Sequence, residues 1–108
     1  MRQYTDKSQT AKLIELGLEK PKMAAPALKW VDGEPTFEPQ YTIGELIEML
    51  PISFENDNYD TSWLEIEAGA VWRVSYSSFG FIDYDCERTE LIDALFDMIV
   101  ELKEVGVI

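Results

Sequence analysis

The chain has no histidine at any of its 108 positions and a single cysteine, Cys86. Without histidine the ordinary Ser-His and Cys-His nucleophile systems cannot be assembled. Nor can the inward Glu and Glu-x-x-His sets by which helical bundles hold two metals. One cysteine cannot close an internal disulfide or build a zinc knot, a usage that fits a reducing compartment. Lys and Arg are missing altogether between Trp30 and Trp72, a stretch that carries ten Asp or Glu. Long apolar runs are missing too: nothing approaches the ~18 residues of a membrane span, and the leading MRQYTDKSQTAK is polar, so neither a span nor a signal peptide is placed. The expected setting is cytoplasmic, without membrane association. The six glycines are scattered, and none stands in a strand-to-helix loop of the kind that cradles phosphate.

What is present is core material and negative charge. Apolar residues make up 46% of the chain and aromatics 12%, enough to bury one core, so a single domain over 1–108 is expected. The net charge is −12. Such a field repels nucleic-acid phosphate and anionic lipid and favours a basic protein partner, although acidity also serves solubility alone. The charge is uneven: residues 1–29 carry six basic and three acidic groups, whereas residues 73–108 carry three basic and eight acidic.

Along the chain, Asp6 and Gln9 have capping-box spacing and predict a helix over about 7–16, with Leu13, Ile14 and Leu16 inward and Gly17 and Pro21 ending it. Residues 18–40, rich in proline and containing DGEP, read as an irregular loop with a short edge strand near Lys29–Val31. Thr42 and Glu45 form a second capping box, with Tyr41 and Leu46 as a hydrophobic staple; that helix starts at Ile43, turns Leu46, Ile47 and Leu50 inward, and stops before Pro51. SFENDNYDTS reads as a polar turn. The alternation on either side of EAGA predicts a hairpin over 62–78, with Leu64, Ile66, Trp72, Val74 and Tyr76 inward, and Phe79, Phe81 and Tyr84 extend it to a possible third strand over 79–84. In TELIDALFDMIVELKEVGVI, Leu91, Ile92, Leu95, Met98, Ile99 and Leu102 fall in one sector of a helical wheel. Glu90, Asp93, Asp97, Glu101 and Glu104 fall opposite, and Gly106 ends the helix. The expected fold is α+β: a small antiparallel sheet packed against a long C-terminal helix and two short ones.

Four features invite a chemical reading. GELIEML at 44–50 returns nearly unchanged as TELIDAL at 89–95; with the flanks unlike, this reads as two helix beginnings and not as a repeat. Asn56, Asn58, Asp60 and Glu67 match positions of a calcium loop, yet Thr61 stands where the template needs glycine, and the segment reads as a solvated turn. Lys20, Lys22 and Lys29 beside Trp30 are too little positive charge for a nucleic-acid site. Trp63, on the outer row of its strand with Glu65 and Glu67, is a candidate partner surface, since an exposed tryptophan can anchor a contact. No catalytic, metal-binding or cofactor-binding residue is assigned.

DKSQTAKLIELGLEKP, YTIGELIEMLP and ELIDALFDMIVELKEVGVI, in this order and spacing, resemble a group of small uncharacterised proteins carried by prophages and other mobile elements of gut anaerobic bacteria. The resemblance implies a bacterial cytoplasm and a mobile-element setting, and it lends no residue a role. The expected function is a non-catalytic accessory or interaction protein. The alternatives are an acidic, DNA-mimic-like decoy for a DNA-handling protein, and a small enzyme with a carboxylate site.

Overall fold

The computed structural model describes residues 2–19, 24–31 and 34–108, with side chains over 2–19 and 40–108. Helix α1, Lys7–Glu15, begins at the anticipated capping box: the Asp6 carboxylate accepts from the Gln9 amide at 2.7 Å and the Gln9 side chain accepts from the Asp6 amide at 3.1 Å. It ends where Gly17 takes φ 88° and Leu18 donates back to the Leu13 carbonyl, the Schellman closure that glycine permits.

The next segment corrects the expectation of an irregular loop. Strands β1, Ala24–Val31, and β2, Glu34–Pro39, pair antiparallel as a two-stranded sheet of their own. Val31 pairs with Glu34, leaving between them Asp32 and Gly33, a dipeptide strongly preferred in two-residue hairpins. Proline does not forbid this, because each strand of a ribbon has a free side on which a missing N–H costs nothing. The register also shifts between Ala24 and Leu28, around Pro26.

Helix α2, Ile43–Met49, starts at its expected capping box on Thr42 and Glu45. Leu46 and Leu50 are buried, but Ile47 is exposed. At 100° per residue Ile47 lies a full step around from Leu46, outside the narrow stripe that a seven-residue helix turns to the core. Three further strands and one short one follow: β3, Ser53–Glu55; β4, Thr61–Ala68; β5, Trp72–Ser78; β6, Phe81–Arg88. They form one antiparallel sheet in that order. β3 forms where the sequence pattern predicts a polar turn, and the third strand expected over 79–84 is β6, displaced to 81–88. Phe79 and Gly80 are the hairpin turn, with φ 45° and 82°, the paired positive values of a type I′ connection.

Helix α3, Leu91–Val105, covers the inner face of the sheet and ends at Gly106 with φ 84°. Its expected stripe is buried in full, together with Leu13, Tyr41, Leu46, Val74 and Tyr76. Phe54 closes the far side of the core, its ring 5.0 Å from that of Tyr76 and 5.9 Å from that of Tyr84. One member of the expected outer face is misplaced: Asp93 is buried, accepting from Gln9 Nε2 at 2.7 Å and from Arg2 Nη2 at 2.9 Å. The amino-terminal segment and α1 lie over that turn of α3, and carboxylate, amide and guanidinium satisfy one another there. The two similar heptads also differ in use. Glu45 is the third residue of α2, whereas its counterpart Glu90 precedes α3 as an N-cap without a side-chain cap bond and accepts instead from the Arg2 amide.

Candidate functional site

Side chains alternate across a strand, so Trp63, Glu65 and Glu67 share the face of β4 turned away from the helices, and all three are exposed. Strand pairing extends this face in rows. Trp63 sits opposite Ser77, and Ser77 opposite Ile82; Glu65, Ser75 and Asp85 make the next row; Glu67, Arg73 and Glu87 make the third. The middle strand therefore lays Ser75 and Arg73 between two walls of two carboxylates each, with the walls about 9.6 Å apart at two strand spacings.

Each end of this trough has its own character. At one, Trp63 (55% exposed) and Ile82 (54% exposed) flank Ser77. At the other, Arg73 Nε donates to Asp85 Oδ1 at 2.8 Å and Nη2 to Oδ2 at 3.2 Å, with Glu87 at 3.7 Å. The Asp85 hydrogen bond raises the guanidinium above its ordinary value. Ser77 donates to Glu65 at 3.2 Å. Arg73 is the one basic side chain among the described residues of this face, against four carboxylates, so the trough is net negative. Such a surface can receive a cation flanked by an apolar contact.

The sequence-derived trio is thus brought together as expected, but it is half of the arrangement. Asp85, Glu87, Ser75, Ser77 and Ile82 went unread. The signal was the alternation in IDYDCER, obscured by a bulge: Tyr76 pairs with Tyr84 and Ser77 with Ile82, leaving Asp83 as an extra residue. Bulges re-aim side chains, and Asp83 turns to the inner side, where Ser62, Asn56 and Ser78 all donate to its carboxylate. The Ser62 hydroxyl, ahead of Asn56 and Ser78, holds that carboxyl below its usual range against the opposite pull of partial burial.

Asp83, Asn56 and Asp57 edge an open cleft of about 660 Å³ between the β3–β4 loop and the end of α3 at Val105. Its chemistry is poor: a carboxylate held by three donors and depressed in pKa is a weak proton carrier at neutral pH. The calcium-loop residues are not brought together. Asn56 Oδ1 accepts from the amides of Asn58 and Asp60, and Glu67 lies six strand residues past Thr61, about 20 Å away. Among the described residues no group of His, Cys, Asp and Glu could hold a metal ion. Burial, then Glu101, pushes the Cys86 thiol up to about 12, so it is no thiolate near neutrality. Lys20 and Lys22, and the side chains of Lys29 and Trp30, lie outside the described residues. No described helix is long and apolar enough to cross a membrane. No family model, curated protein or solved structure matches the chain.

Proposed function

We propose that this chain is a non-catalytic interaction protein that engages a basic protein partner through the outer face of its four-stranded sheet. The observation that carries the reading is the trough, floored by Ser75 and the paired Arg73, between Glu65 and Glu67 on one side and Asp85 and Glu87 on the other, with Trp63 and Ile82 exposed at its end. Exposed aromatic and aliphatic side chains rimmed by like charges are the composition of a contact surface. Charge of one sign steers the partner in and rejects phosphate-bearing competitors. A setting among the accessory proteins of a bacterial mobile element agrees with the sequence resemblance. The DNA-mimic reading is less well supported, because Arg73 stands in the middle of the array and neutralises part of it, where a phosphate decoy needs an unbroken series.

Capture from a gut-anaerobe lysate with the wild-type chain, with Glu65→Lys/Glu67→Lys, and with the control Glu48→Lys tests the reading. A protein retained by wild type and control, lost with the double variant, and released as salt shortens the electrostatic reach to about 8 Å at 0.15 M is the expected result. Equal capture by all three chains overturns it and leaves the acidity as a solubility feature.

A further inference from the structure

β6 is the edge of the sheet, with β5 as its one neighbour in the described topology. An edge strand presents a row of backbone N–H and C=O groups to any chain that can lie beside it. Past the bulge at Asp83, residues 84–88 pair in regular register with β5, so their opposite side is straight. Carboxylates flank this edge above and below. Asp85 and Glu87 stand on the outer face; on the inner face Asp97 and Glu101 of α3 reach β6, Asp97 at 2.8 Å from Arg88 and Glu101 at 3.6 Å from the Cys86 sulfur. The two basic groups here, Arg73 and Arg88, are already paired with Asp85 and Asp97. Toward its start the same strand exposes Phe81 and Ile82.

We infer that the partner docks as an extended basic segment that adds to β6 as a fifth strand, its alternate lysine or arginine side chains falling on the outer face beside Asp85 and Glu87 and one apolar residue of the same row meeting Ile82. This rests on the proposed interaction role and specifies its form. Strand addition draws affinity from main-chain hydrogen bonds and specificity from alternate side chains. Charge decides against a second copy of the chain: antiparallel pairing of two β6 strands about Cys86 would set Asp85 opposite Glu87 twice, and like charges directly opposite destabilise a ladder. The carboxylates that attract a basic strand therefore also guard the edge against itself.

The test uses a fluorescent peptide of alternating lysine and threonine led by one valine, and two versions of it methylated on one or the other alternate set of backbone nitrogens. Fluorescence anisotropy with the full chain should show binding by the parent, loss of at least about tenfold for one methylated set and near-parent affinity for the other. Glu87→Lys should weaken the parent by a similar factor, Glu48→Lys should not, and hydrogen exchange should slow at amides within 84–88. Equal affinity of both methylated peptides, or no binding of the parent, overturns strand addition. The lysate capture reports separately on whether the trough binds a basic partner at all. Protection of the same amides without peptide, in a chain that sediments as a dimer, would overturn the inference in favour of a second copy.

Discussion

Asp93→Ala should be one of the most damaging changes available on the polar residues of α3, and Asp97→Ala, one turn on, one of the mildest. Asp93 is buried and accepts from the Gln9 side-chain Nε2 at 2.7 Å and from Arg2 Nη2 at 2.9 Å. A buried hydrogen bond to a charged group is worth about 1.5–3 kcal/mol, and its removal leaves the Gln9 donor without a partner. The Arg2 contact must be discounted, because the Arg2 side chain is 42% exposed; exposed pairs contribute about 0.2–1 kcal/mol. Together these give about 2–4 kcal/mol, or a fall in melting temperature of at least about 8 °C for a domain of this size. The Asp97 pair with Arg88, at 2.8 Å but with side chains 31% and 48% exposed, should be worth no more than about 1 kcal/mol. Urea and thermal unfolding of the two variants, with Asp93→Asn as an intermediate that keeps an acceptor for Gln9, would measure the difference. Equal midpoints for Asp93→Ala and Asp97→Ala would refute the clasp between the amino terminus and α3.

Leu95→Ala, in the wholly buried centre of α3, should cost about 2–5 kcal/mol through lost transfer energy and a cavity, whereas Ile47→Ala, at a residue 37% exposed on α2, should cost about 1 kcal/mol; denaturant midpoints read both. Because the Asp83 carboxyl is held below its usual range, its contribution is in place above the unfolded value of about 3.9 and is lost as pH falls through the folded one. The stability gap between wild type and Asp83→Asn should therefore shrink on acidification from about pH 5, and a gap that stays constant or widens would contradict the network. Phe79 is exposed with φ 45°, a left-handed conformation that costs an ordinary residue about 1–2 kcal/mol. Phe79→Asn should therefore raise the melting temperature, read by thermal unfolding, and an unchanged or lower value would contradict the strain.

Helices with a complete local signal were legible. The capping boxes at Asp6 and Thr42 and the apolar stripe of α3 are written in contiguous residues, and the structure uses them as read. Features decided by distant partners were not. Asp93 has the outward phase of its helix on a wheel, and only the arrival of Arg2 and Gln9 makes it an inner residue. β3 is three residues long, too short to display alternation, and exists because β4 offers it an edge. In the candidate surface, Trp63, Glu65 and Glu67 were legible because β4 alternates without interruption. Asp85 and Glu87 were not, since the bulge at Asp83 breaks the period of β6. The β1–β2 ribbon carried its Asp-Gly signal in plain view, outvoted by proline content.

Tyr41 occupies a junction. Its backbone carbonyl accepts from the Thr5 amide, its own amide donates to the Thr5 hydroxyl oxygen at 3.0 Å, and its phenol donates to the carbonyl of Glu19. The chain thus departs for the β1–β2 ribbon at Glu19 and comes back at Tyr41 through one shared anchor. A detour whose ends are already tied together can change length at little entropic cost, about 0.6 kcal/mol for each doubling of a flexible loop. Trimming the ribbon to a brief linker, or splicing in a foreign module of similar span, should leave the helices and the larger sheet folded, whereas Tyr41→Phe unties one end of the detour and costs no more than that single hydrogen bond, about 0.5–1.5 kcal/mol.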